Sequence, residues 1–111
     1  IKHVERVWSE WPEWRGLGEV LLRHDDLTNL TEEETARANH PAMAVICRFC
    51  EERGLPLLVH QNSTSIGVHG EYVYLHELEE TLARHPRLTV VWAHCGISRR
   101  VFHARYHEML R

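Results

Sequence analysis

Two apolar runs, LPLLVH (Leu55 to His60) and LTVVWAH (Leu88 to His94), each stop at a histidine, and the two histidines lie 34 residues apart. Runs of this length, bounded by turn formers, are too short for buried helices and predict strands covered on both faces. Strands apolar throughout belong in parallel sheets, and parallel neighbours need a crossover connection, usually a helix. The chain supplies one between them. A polar loop from Gln61 to Gly70 precedes a predicted helix over about 71–84, whose Leu75, Leu78 and Leu82 share a face, and Pro86 closes it.

The rest of the chain keeps the same alternation. GLGEVLL, Gly16 to Leu22, predicts a short strand, and the turn formers after it lead to Thr31 and Glu34, spaced as a capping box for a short helix. A firmer helix starts at Pro41, carries Ala42, Val45, Ile46, Phe49 and Cys50, and meets Gly54 just past its end. From about Ser98, the helical spacing of Phe102, Tyr106, Met109 and Leu110 predicts a final helix. The fold class is therefore α/β, with parallel βα repeats.

Composition narrows the functions. In 111 residues there is room for one domain with one core. The net charge of −3, with dispersed basic residues, argues against nucleic acid. No apolar run approaches the roughly 20 residues of a spanning helix, so no membrane role is expected. Three cysteines are an odd number for a disulfide framework and suggest a reducing, cytoplasmic setting. Cys47 and Cys50 fall inside a predicted helix, where core packing is the simpler role than redox chemistry. Gly16 and Gly18 lack the third glycine of a dinucleotide loop. His103 and His107 have metal-pair spacing, but without the adjacent glutamate of a zinc-protease helix they read as a solvated face. Trp8, Trp11 and Trp14, three apart, suggest a barrel flank or a contact in a homo-oligomer. The first residue is Ile, and the expectation is that the chain begins inside a longer sequence.

The carboxyl ends of parallel strands share one edge, where α/β proteins gather ligands. His60 and His94 would meet there. Alternation puts His60 on the face of Leu58, and His94 on that of Trp92 and Val90, while Glu19 on the first strand can point toward the same mouth. Imidazole binds Zn²⁺ well, and a water on the ion then ionises near pKa ~7; a nearby histidine can instead move the proton. The competing role for each histidine is a structural one, hydrogen-bonded to carbonyl groups. Asn62 and His69 follow His60, His24 and Asp25 follow the first strand, and Arg99 and Arg100 follow His94; of these Asn62, His24 and Arg99 are the candidate contacts to a small-molecule substrate.

The phrases GLGEV, ERGLPLLVHQN and LEETLARHPRLTVVWAHCG resemble, in order and spacing, the central part of the amidohydrolase-related metal-dependent hydrolases, a group that includes decarboxylases. The resemblance spans roughly Arg15 to Arg100. It implies about three βα units of a (β/α)₈ TIM-barrel-like fold, strands four to six, so that residues 1–111 form a single domain or a partial barrel. It further implies a divalent metal, zinc foremost, with His60 as ligand, His94 as water-orienting base or ligand, and Glu19 as a further ligand. The substrate implied is a small organic acid or amide. Two family features are missing: no two histidines here are two apart, and the aspartates, Asp25 and Asp26, both precede His60. The ligands they represent are expected outside this segment. The rival reading is a small α/β binding domain with structural histidines.

Overall fold

The computed structural model describes residues 1–24, 36–68 and 71–111. Among them the order is α1 (Lys2–Glu10), β1 (Leu17–Leu21), α2 (Pro41–Arg53), β2 (Leu57–His60), α3 (Leu75–Arg84), β3 (Val90–Trp92), a 3₁₀ turn (Ala93–Gly96) and α4 (Tyr106–Met109). The strands form one sheet in the order β1-β2-β3, parallel at both seams. Helices alternate with parallel strands as the apolar runs require, the pattern of partial TIM-barrel-like βα units. The capping box at Thr31 and Glu34 lies outside the described residues, as do Asp25, Asp26 and His69.

The pleat divides the sheet into unlike faces. Leu57 and Val59 are almost fully buried and join Leu22, Leu55 and Leu88 in a core completed by Met43, Cys47 and Cys50 of α2 and Leu78 of α3. Burying each such aliphatic side chain is worth about 1.5–3 kcal/mol. The alternate residues, Leu58 and His60, turn to the other face, and the register pairs them with Val91 and Leu21, both about half exposed. One face therefore carries the core, and the other carries His60.

α2 forms where capping dictates. His40 accepts the Ala42 N–H, Pro41 takes the first turn, and Gly54 adopts the left-handed conformation at the C-cap. Its buried stripe, however, is Met43, Cys47 and Cys50 with Phe49, whereas Ala42 and Val45 are exposed. The expected face is rotated toward Met43 and Cys47, which are buried in one cluster with Leu57 and Val59 of the sheet, while Ile46 is only partly buried against it. Burial raises the Cys47 thiol to about 11 and raises Cys50 too, so neither is poised for redox chemistry; all three cysteines are free.

Three further expectations need correcting. α3 starts at Leu75, not near Glu71, and it buries Glu77, Leu78 and Thr81 while Leu82 is exposed. The polar pair is accommodated by hydrogen bonds: Thr81 donates to Ala38 O at 2.8 Å and Glu77 O at 3.0 Å. The tail is mostly irregular, with only Tyr106–Met109 helical, Phe102 86% exposed and Val101 buried in its place. His103 is buried rather than solvated: its Nδ1 lies 2.8 Å from the Tyr72 hydroxyl, which donates to it. Finally, α1 was not foreseen. It buries no residue fully, and Trp8 touches α2 edge-on at Phe49 while Trp11 stays exposed.

Candidate metal centre

Three backbone devices bring side chains to the carboxyl edge. The first is in β1, where register passes from Leu17↔Leu57 to Val20↔Val59, leaving an extra residue in β1 as in a β-bulge. Gly18 permits it: its φ is +134°, and a Cβ there would overlap the Leu58 carbonyl. Glu19, next to this irregularity, reaches His60 with Oε1 3.0 Å from Nδ1. The second device is the ladder itself. His60 closes β2 opposite Leu21, and its carbonyl accepts the Leu22 N–H at 2.9 Å.

The third device overturns an expectation. β3 ends at Trp92, so His94 does not share a strand face with Trp92 and Val90. It stands in a left-handed turn, with His94 at φ 55° and Cys95 at φ 50°, followed by Gly96 at φ 70°. Left-handed conformation costs L-residues roughly 1–2 kcal/mol each and persists only where neighbours over-determine it. Here Ser63 does so, donating from both N–H and Oγ to Gly96 O at 3.0 Å, and the Trp92 indole lies against Gly96 while donating to Gln61 O at 2.7 Å.

The turn delivers His94 to His60, their ring centroids 5.1 Å apart. Donor atoms of Glu19, His60 and His94 all lie within 4.8 Å of one another, a group that could hold a metal ion. His24 flanks it, 4.7 Å from the His60 ring centroid. All three imidazoles open into one cavity of about 440 Å³. Its wall continues through Asn62 and Ser98, both buried, and through Ile97. Arg99 and Arg100 also line it, so that among the described residues its lining carries two guanidinium groups and no carboxylate, with Glu19 standing beside it in the metal group.

The structure thus gathers Glu19, His24, His60, Asn62, His94 and Arg99 at one edge. Sequence reasoning missed Ile97 and Ser98 as wall residues, because it assigned the tail from Ser98 to a regular helix. The available signal was their position directly after AHCG. No helix among the described residues is long and apolar enough to cross a membrane.

A family model described as "Amidohydrolase" matches residues 9–111. No curated protein and no solved structure matches the chain.

Proposed function

The chain belongs to the amidohydrolase family, and from that premise we propose a hydrolase or decarboxylase of a small organic acid or amide, with Glu19, His60 and His94 holding a divalent cation. The supporting observation is the approach of those three donors to within 4.8 Å beside a cavity of about 440 Å³. Two imidazoles and a carboxylate suit zinc, whose catalytic sites keep three protein ligands and one open position. When bound, such a cation supplies Lewis acidity and a water that ionises near neutral pH.

The chain's own residues account for the rest. Glu19, 3.0 Å from His60 Nδ1, fixes the orientation of that ring. One imidazole does not serve as ligand and base at once: where Glu19 and His60 alone hold the cation, His94, exposed on its turn, instead takes a proton from water in the cavity and returns it to the leaving group, a role worth roughly 10²- to 10⁴-fold. Arg99 offers a planar fork to a substrate carboxylate. Asn62 and His24 supply polar contacts in the same cavity, and Ile97 an apolar one.

Zinc titration of the protein and of His60→Ala tests this reading. The protein binds Zn²⁺ and the variant loses the site. Equal metal uptake by both would remove His60 from the ligand set and leave its bond to Glu19 as a structural contact alone.

A further inference from the structure

Beside the cavity edge lies a buried charged knot whose residues neither line the cavity nor belong to the metal group. Glu77 of α3 is only 3% exposed, and a carboxylate so placed must be paired and hydrogen-bonded. Its Oε2 accepts from Arg23 Nε at 3.0 Å and from Gln61 Nε2 at 2.9 Å, and its Oε1 accepts from Arg23 Nη2. The Arg23 guanidinium lies 4.3 Å above the Tyr74 ring, and its bond to Glu77 raises its pKa against the opposing effect of burial. Gln61, fully buried, spends its other amide hydrogen on Tyr74 O at 3.2 Å.

The position of the knot in the chain gives it meaning. Arg23 immediately precedes His24, and Gln61 immediately follows His60. The two backbones are stitched together by Leu22 N–H to His60 O and Asn62 N–H to Arg23 O, each 2.9 Å. One carboxylate from the crossover helix therefore fixes the neighbours of two imidazoles whose rings stand 4.7 Å apart. An apolar pair of similar volume would hold α3 to the sheet as well or better. What only the charged fork adds is direction.

We propose that Glu77 is a positioning residue: through Arg23 and Gln61 it sets the placement of His24 and His60 at the cavity edge. The consequence for cation affinity rests on the proposed function, whereas the consequence for the backbone at the edge does not.

Amide hydrogen exchange and Zn²⁺ titration of Glu77→Gln test the proposal together. The Leu22 and Asn62 amides should exchange faster, while the Leu57 amide, bonded to Thr89 O at 2.9 Å, keeps its rate. Zinc affinity should fall about tenfold, as for supports behind metal ligands elsewhere. A purely structural Glu77 would move all three amides together and leave the affinity of the folded protein unchanged, and either result overturns the proposal. If Glu77→Gln does not fold, Arg23→Lys decides on the same comparison, since it retains the charge but loses the fork. A protein that binds no Zn²⁺ at all defeats the proposed function, and the exchange rates still decide the role of Glu77.

Discussion

The ends of β2 and β3 carry matching phrases, an apolar run closing on histidine, yet they deliver their imidazoles by different means. His60 inherits its direction from the pleat: it is the last rung of the ladder, and Leu57 and Val59 on the opposite face anchor it. His94 lies two residues beyond its strand and owes its direction to a left-handed turn propped by Ser63 and Trp92. A strand-end side chain is placed by the hydrophobic pattern of the whole strand. A side chain past the end is placed by a few local contacts, so it should be far easier to dislodge.

Gly96→Ala is the strongest way to break the β3 arrangement. A Cβ there would run into the Trp92 indole, and the φ of 70° disfavours any L side chain. Left-handed strain and overpacking together should cost about 3 kcal/mol, read as a drop in the denaturant midpoint. In whatever protein remains folded, the β2 end should keep its Leu22 to His60 hydrogen bond while His94 moves away. A midpoint within 0.5 kcal/mol of the parent, on the order of a surface substitution, would show that the turn is not under the constraint described.

The contrast also explains what was legible in the sequence. Period and length were enough for the three strands and for α2 and α3, because burial on a parallel sheet enforces them. The gathering of His60, Asn62 and Glu19 followed from the common polarity of parallel strands. The geometry at His94 did not, since nothing in AHCG distinguishes a strand running on through the histidine from one that stops at Trp92. Glu77 was illegible for another reason: a glutamate in the first turn of a helix looks solvated until its partner Arg23, 54 residues earlier, is placed beside it. Likewise His103 read as surface until Tyr72, 31 residues earlier, supplied a partner for its buried ring. Long-range polar pairing leaves no periodic trace.

Trp92→Phe sharpens the comparison at smaller cost. It keeps an aromatic ring in β3 but deletes the indole donor, leaving the Gln61 carbonyl without the 2.7 Å bond that ties the two strand ends together. Loss of one such bond to a buried acceptor should lower stability by about 1–2 kcal/mol, measurable by chemical denaturation. The double variant Trp92→Phe with Gly96→Ala should cost less than the sum of the two, because both act on one contact. Full additivity would separate the hydrogen bond from the turn.

The smallest effect belongs to the opposite end of β3. Glu51 of α2 accepts the Arg87 N–H at 3.1 Å and lies 3.2 Å from His85 Nδ1, tethering the loop that feeds the strand. The bond to His85, more than the charge of Arg87, holds its carboxyl below the ordinary 4.5. A lowered folded pKa means the unfolded chain takes up the proton first. The stability Glu51 contributes is thus complete above pH 4.5 and disappears as pH falls through its lower folded value. Glu51→Gln should be slightly less stable than the parent at pH 7, and the two denaturation midpoints should converge in acid. Zinc affinity at pH 7 should be unchanged, because a tether at the start of β3 has no hold on a histidine placed by the turn beyond its end. A variant that loses zinc binding without losing stability would show that the entry to β3, and not only its exit, directs His94.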